Sequence, residues 1–422
     1  MTEKNPWDAY VSAKAEEAKR ASRSLAALST AVKDAALLAM AQALLDQTKV
    51  LLEANAEDLV GAEKKGLTKA MIDRLTLTEA RVEEMARGLS EVAALPDPVG
   101  EVLGTWRRPN GLEVGRVRVP LGVLGIIYES RPNVTSDTAG LCLKSGNAVI
   151  LRGGSEAIHS NAAIAGVIKQ AAAEAGIPAG AIQFLEETDR AVVSAMLKLD
   201  KLIDVIIPRG GEGLVRAVTE ASTIPVLKHD KGLVHIYIDV EADHPMAEDI
   251  VINAKTQRPG VCNAVETLLV HEAIAPTLLP SLLKELQQRG VEIRGCEKTQ
   301  ALGDDVVPAT EEDWDAEHLD LILSVKVLDS YEEALTHIER HSSQLTEAII
   351  TNNYATARRF LREVDSACVF VNASTRFTDG NEFGLGAEMG VSTSKLHVRG
   401  PVGVADLTSV KYFIFGDGPV RT

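Results

Sequence analysis

VPLGVLGIIYESRPNVTSDTAGLCLKSGNAVILRGGSEAIHSN, from Val119 to Asn161, changes its periodicity three times and sets the architecture. Val123 to Ile127 and Ala148 to Leu151 are unbroken apolar runs, as expected of strands buried on both faces. A helical pattern near Thr135 to Lys144 separates them, and another near Glu156 to Ala175 follows. Strand, helix, strand, helix at this spacing reads as a parallel sheet with right-handed crossovers. Ile182 to Leu185 and Val205 to Ile207 extend it, with a helix near Arg190 to Leu199 between them.

On the N-terminal side, Trp7 to Gly88 is rich in Ala, Leu, Glu and Lys, with stripes such as Leu37, Met40, Ala41 and Leu44 that mark packing helices. Pro96, Pro98, Gly100 and Gly104 punctuate the passage to Leu112 to Val119, which alternates apolar and polar residues like a half-exposed strand. On the C-terminal side a second alternation begins. Its strands are expected at Val234 to Ile238, Ala264 to Val270, Leu321 to Val327, Thr346 to Ile350 and Ala367 to Val371. Its helices are expected near Ala273 to Gln288, Tyr331 to His341 and Tyr354 to Glu363. The late strand-like Ser409 to Phe415 is placed to pair with the Leu112 to Val119 ribbon of its own or another subunit.

A chain of 422 residues exceeds the usual single hydrophobic core, so two domains are expected. With 44 Lys+Arg, 60 Asp+Glu and a net charge of −16, the composition argues against nucleic-acid and anionic-membrane partners. Hydrophobic content of 45% with 25% charged residues is that of a soluble globular protein, and the apolar runs are too short to span a bilayer. The N-terminus MTEKNPWDAYVSAKAEEAKR lacks the form of a secretory signal, and a cytoplasmic location is expected. Cys142, Cys262, Cys296 and Cys368 have neither metal-ligand spacing nor disulfide density, so free thiols and no metal site are expected.

No G-x-G-x-x-G opens a helix after the first sheet strand, no phosphate-loop lysine motif occurs, and His271-Glu272 lacks the second histidine of a zinc helix. Gly-rich turns do occur at strand ends: Arg152-Gly153-Gly154-Ser155 and Arg209-Gly210-Gly211-Glu212-Gly213. Such turns either let backbone N–H groups approach a phosphate or simply make a tight connection. Cys262 lies in Gln257-Arg258-Pro259-Gly260-Val261-Cys262-Asn263-Ala264, a loop position beside an arginine that suits a nucleophilic thiolate. Cys142 and Cys368 read as small core hydrophobes, and Cys296 as a strand-end residue. Arg131, Arg258 and Arg376 stand in loops, where they serve either surface ion pairs or bidentate binding of carboxylate and phosphate.

Together and in this order, these pieces resemble the aldehyde dehydrogenase superfamily, and within it the branch that reduces an acyl phosphate in proline biosynthesis. The likeness runs almost end to end, through Val119 to Asn161 and then DVIIPRGGEGLV, PVLKHDKGLVHIYID, NAKTQRPGVCNAVETLLVH, FVNASTRFTDG and FGLGAEMGVSTSKLHVRGP. It implies an α/β fold: a Rossmann-like parallel-sheet cofactor domain over 1-227 with the ribbon 105-119 inserted, and an α/β catalytic domain over 228-392. A return and oligomerisation strand over 393-422 follows, and the site is expected in the cleft between the domains.

The resemblance also implies the chemistry. The Cys262 thiolate attacks L-glutamyl 5-phosphate, phosphate leaves, and NADPH reduces the thioester to L-glutamate 5-semialdehyde. Asn263 and Ser130 join Cys262 on the catalytic side, Ser130 standing where relatives carry an oxyanion-holding asparagine. Arg152, Gly153, Gly154, Ser155, Arg209, Gly210, Gly211 and Glu317 fall on the cofactor side. Arg152 and Ser155 favour a ribose 2′-phosphate, and Glu156 opposes it. Arg131, Arg258, Ser374, Thr375 and Arg376 are the substrate-side residues. The stretch that holds a glutamate base in oxidising relatives reads Leu227-Lys228-His229-Asp230-Lys231-Gly232, which fits a reductase because reduction needs no activated water.

Implied partners are the small acyl phosphate and further copies of the chain, with contact with glutamate 5-kinase left open. The alternatives are an oxidising NAD(P)-dependent aldehyde dehydrogenase, an acylating CoA-linked reductase, and a non-catalytic nucleotide-binding subunit. Since both ligands are anionic and the chain is acidic, Arg152, Arg131, Arg258 and the Gly-rich loops are expected to make a locally positive cleft.

Overall fold

The structure, a computed structural model, describes residues 5–229 and 231–421. Met1 to Lys4 of the N-terminal reading, Asp230 of the Leu227 to Gly232 stretch and Thr422 lie outside the described residues. The chain divides into two compact units: Met1–Lys228 with Leu385–Gly390 and Val402–Thr422, and His229–Gly384 with Val391–Pro401. The segment 393-422, expected as one return, is therefore shared between the two.

In the first unit, helices α1 (Asp8–Leu25), α2 (Thr30–Asp46), α3 (Thr48–Lys64), α4 (Lys69–Leu75) and α5 (Glu79–Ala94) come first. Strands β1 (Val102–Arg107), β2 (Glu113–Pro120) and β3 (Val123–Tyr128) follow, then α6 (Asn133–Lys144), β4 (Ala148–Arg152), α7 (Ile158–Glu174), β5 (Ile182–Phe184), α8 (Arg190–Met196), β6 (Val205–Arg209) and α9 (Glu212–Ala221). Among the described residues, the central sheet runs β5-β4-β3-β6, all pairs parallel. Every residue of β3 and β4 is buried, which is why both read as unbroken apolar runs. The helix expected from Glu156 begins instead with a 3-10 turn, Ser155–Ala157, before α7.

The second unit holds β7 (His235–Ile238), α10 (His244–Thr256), β8 (Thr267–His271), α11 (Ala275–Gln288), β9 (Glu292–Gly295), α12 (Glu297–Gln300), β10 (Val307–Pro308), β11 (Ile322–Leu328), α13 (Tyr331–His341), β12 (Thr346–Ile350), α14 (Tyr354–Glu363) and β13 (Cys368–Val371). Its parallel sheet runs β10-β9-β11-β8-β7-β12-β13. Two short segments, β14 (Val391–Ser392) and β15 (Gly400–Pro401), pair antiparallel.

Helix α10 was not anticipated, and strand β9 was read only by its end, at Cys296. A signal for α10 was present, since Asp243 caps it by accepting from the Met246 N–H and Pro245 stands in its first turn. The strand expected from Ala264 begins only at Thr267. Upstream, the Val265 N–H bonds to the Ala254 carbonyl at 3.1 Å instead of to a strand neighbour.

The late strand is β16 (Thr408–Phe415), and it pairs antiparallel with β2 of its own chain from Thr408 opposite Pro120 to Phe415 opposite Glu113. With β1 it forms a three-stranded ribbon in the first unit.

Candidate active site

Cys262 lies in the loop between α10 and β8. Pro259 cannot continue the helix, and the Ala264 N–H donates to the Val261 carbonyl at 3.1 Å, closing a tight turn around Cys262 and Asn263. The thiol is half-buried. Gly232 backs onto it: a Cβ there would stand 2.6 Å from the Cys262 Cα and closer still to its carbonyl oxygen. The Gly232 N–H donates to Glu317 Oε1 at 2.9 Å, so Glu317 reaches the backbone that supports the cysteine.

The segment Asn372 to Thr378 packs on the same loop. Asn372, at φ 54°, bonds Thr351 through both ends of its side-chain amide. Asn263 donates from Nδ2 to the Thr378 carbonyl at 2.9 Å, and Thr375 Oγ1 donates to the Asn263 carbonyl at 2.8 Å. Arg376 donates to Asn263 Oδ1 and, through Nε, to Gln257 Oε1 at 2.9 Å. Burial and then the positive charge of Arg258 hold the Arg376 pKa below its ordinary value, while Cys262 acts in the opposite sense. Arg376 is thus within electrostatic reach of both Arg258 and Cys262.

Ser374 and Thr375, expected on the substrate side, are buried, and their hydroxyls donate to Asn253 and Asn263. They brace the loop. Asn263 is likewise buried and committed, which makes it a clamp on Cys262.

One pair was missed by the sequence reading. Lys255, in the last turn of α10, donates to Glu266 Oε2 at 2.8 Å and to the Val265 carbonyl at 3.0 Å, with both side chains almost fully buried. Burial pushes the Glu266 carboxyl up to about 7 and lowers the Lys255 pKa. The available signal was a charged residue on each side of the cysteine loop, one of them inside the apolar run Ala264 to Val270.

In the first unit the turn after β3 carries Glu129, Ser130 and Arg131. Ser130 has φ 28°, and both its N–H and its hydroxyl donate to Glu156 Oε1, at 2.7 and 2.6 Å. The Ser130 hydroxyl, expected as an oxyanion donor, is therefore engaged with Glu156. Arg152 is buried and donates to the carbonyls of Gly153 and Thr188 at 2.9 and 2.8 Å, and burial lowers its pKa. Ser155 is exposed at the start of the 3-10 turn, and Arg131 is exposed as well. The N-terminus of α7 is closed by Asp58 of α3, which accepts from the N–H groups of His159 and Ser160 at 3.1 and 2.8 Å.

The Arg209-Gly210-Gly211 turn leads into α9. The Gly211 N–H donates to Glu129 Oε2 at 2.9 Å, and a Cβ on Gly210 would stand 2.5 Å from the same oxygen. The Arg209 guanidinium lies against Gly390. Each Gly-rich turn is thus faced by a carboxylate, Glu156 at one and Glu129 at the other, and Arg152 is turned toward backbone carbonyls. Of the groups expected to make a locally positive cleft, these two turns therefore carry negative charge beside their glycines as well. The expected arginines also divide: Arg258 and Arg376 belong to the second unit and Arg131 to the first.

Residues 2–302 match the model of the aldehyde dehydrogenase family. The chain belongs to the aldehyde dehydrogenase family, whose members use NAD or NADP. It is 59% identical over 411 residues to the gamma-glutamyl phosphate reductase of Moorella thermoacetica, covering 97% of this chain and 98% of that protein. A crystal structure of the gamma-glutamyl phosphate reductase of Thermotoga maritima superposes with a TM-score of 0.96 at 48% identity, over 98% of this chain and all of that one. An acetylating aldehyde dehydrogenase of Geobacillus thermoglucosidasius, 21% identical, shares the fold with a TM-score of 0.70, each chain fully covered. No single helix among the described residues is long and apolar enough to cross a membrane.

Proposed function

We propose that this chain reduces L-glutamyl 5-phosphate to L-glutamate 5-semialdehyde and phosphate, the second step of proline biosynthesis from glutamate, with NADPH as reductant. The observation that carries this reading is the Cys262 loop: a half-buried thiol, braced on both sides, with Arg376 in electrostatic reach. Identity of 59% to a gamma-glutamyl phosphate reductase over nearly the whole chain supports the substrate.

The Cys262 sulfur attacks the acyl carbon, the carbon–oxygen bond to the phosphoryl group breaks, and phosphate departs with that electron pair. Arg258 and Arg376 offset the charge of the phosphate and of the substrate carboxylate. The Cys262 backbone N–H is the donor we assign to the oxygen of the tetrahedral intermediates. NADPH, when bound, supplies the hydride that reduces the Cys262 thioester. Collapse then expels the thiolate and frees the aldehyde. A thiolate serves both steps because it is a good nucleophile and a good leaving group.

The Gly-rich turns fit a dinucleotide. Gly211 at the N-terminus of α9 already donates to an anionic oxygen, that of Glu129, so its N–H has the direction a phosphate oxygen requires. Gly210, Gly211 and Arg209 are the residues we assign to the diphosphate, and Arg152 with Ser155 to the ribose 2′-phosphate. Glu156, whose carboxylate is fixed on Ser130 beside the Gly154 turn, keeps its negative charge and opposes this preference. Glu317 we assign to the nicotinamide side.

We further assign oligomerisation to the β1-β2-β16 ribbon, whose Trp106, Tyr412, Ile414 and Phe415 are exposed. A cytoplasmic location is in keeping with four free cysteines.

The reaction run backwards tests the function. L-glutamate 5-semialdehyde, NADP and phosphate should yield NADPH with complete dependence on phosphate, and Cys262→Ala should abolish turnover while leaving NADPH binding intact. Equal turnover in phosphate-free buffer would refute the acyl-phosphate reading, since it would mean hydrolytic oxidation.

A further inference from the structure

Within the catalytic unit the contacts around Cys262 close into a ring. Lys255 bonds both the Val265 carbonyl and Glu266 Oε2, drawing together the two ends of the loop that carries the cysteine. The other oxygen of the same carboxylate, Glu266 Oε1, accepts from the Leu319 N–H at 3.2 Å. Leu319 has φ 53°, a left-handed conformation that a leucine adopts only when its surroundings hold it there. Two residues earlier, Glu317 accepts from the Gly232 N–H at 2.9 Å. Gly232 in turn lies against the Cys262 backbone. The path from the cysteine loop through Glu266, the Glu317 to Leu319 turn and Gly232 returns to Cys262.

A closed ring fixes relative position in a way that a single contact does not. Its charged members are also costly: a buried Lys–Glu pair commonly gives less stability than an apolar pair of the same volume. A placement role accounts for charged residues at that position.

We propose that Glu266 is a positioning residue that holds Cys262 and Glu317 in register, with Lys255 orienting its carboxylate. The inference rests on the reading that Cys262 is the nucleophile and Glu317 lines the nicotinamide side. The Glu266 carboxylate is engaged by Lys255 and by the Leu319 N–H. It acts through the loop on one side and the Leu319 turn on the other.

Two double variants separate placement from stability. Lys255→Met with Glu266→Gln removes both charges and keeps a carbonyl oxygen for the Leu319 N–H. Lys255→Met with Glu266→Leu removes both charges and that acceptor. Both avoid a lone buried charge, and circular dichroism and thermal unfolding verify that each is folded.

The glutamine variant should lose no more than about fivefold in kcat, roughly the worth of one altered hydrogen bond. The leucine variant should lose about thirtyfold or more in kcat with little change in KM, as a displaced reacting group does. Hydrogen exchange at the Leu319 amide, measured without substrate, should quicken by at least about tenfold in the leucine variant only, as expected when its hydrogen bond is lost. Unchanged exchange in the leucine variant would show that no such tie exists. Faster exchange with kcat preserved, or equal kcat loss in both variants, would overturn the positioning role. If the wild-type protein shows no phosphate-dependent turnover, the functional reading fails and the role with it, while exchange still decides whether the tie is real.

Discussion

The Glu129 carboxylate sits on the Gly211 backbone N–H at 2.9 Å, so the first turn of α9 already holds an anionic oxygen supplied by the chain itself. On the proposed cofactor assignment, a dinucleotide phosphate that takes that N–H meets a like charge and must displace it. Glu129→Gln should therefore bind NADPH about fivefold more tightly, roughly the energy of one charge at a helix N-terminus. Fluorescence titration of NADPH measures it. Weaker binding in the variant would mean that Glu129 contacts the cofactor favourably.

Gly232 leaves no room for a side chain beside Cys262. Gly232→Ala must push back the cysteine backbone or the Glu317 carboxylate, an overpacking cost of about 1–3 kcal/mol. The melting temperature should fall, and kcat should drop by roughly 10- to 100-fold through displacement of the thiol. Unaltered kcat would show that the thiol tolerates movement of its support.

Arg376 uses two edges of its guanidinium, on Asn263 and on Gln257. Lysine retains the charge but cannot reproduce that fork. Arg376→Lys should raise KM for phosphate in the reverse reaction by about tenfold. Steady-state kinetics with varied phosphate would show this, and an unchanged KM would remove Arg376 from the phosphate role.

Asp137, on α6, has its carboxyl pushed up to about 6, mainly by burial and against the favourable hydrogen bonds of Asn133 and Ser136. The folded protein therefore holds this proton more tightly than the unfolded chain does. The resulting stabilisation is complete below the ordinary aspartate range and is lost as pH rises toward 6. Asp137→Asn should gain melting temperature relative to wild type at pH 8 and gain less, or lose, at pH 4. A pH-independent difference would contradict the burial argument.

The fold was largely legible because β3 and β4 are buried along their whole length, and such strands announce themselves as apolar runs. Cys262 was legible too, since Pro and Gly before a cysteine mark a loop. What escaped was contact between distant positions. Glu129 and Gly211 are 82 positions apart, and Asp58 reaches Ser160 across 102, spans that no local pattern encodes. Lys255 escaped for another reason: a lysine in the last turn of a helix ordinarily faces water and complements the helix dipole, whereas this one is buried against Glu266.

Strand β16 completes a ribbon whose other members were made long before it. Arg118 of β2 donates to Thr408 across 290 positions, with the whole second unit between them in the chain. At about 5–20 residues per second, ribosomal synthesis leaves the β2 edge without its partner for roughly 15–60 s. Through that interval every nascent copy carries an open strand edge, and neighbouring chains on one message carry the same edge close by. The β2 edge is thus open to pairing with another chain until β16 is made, and a nonsense mutation between the codons for Pro120 and Thr408 leaves it without that partner.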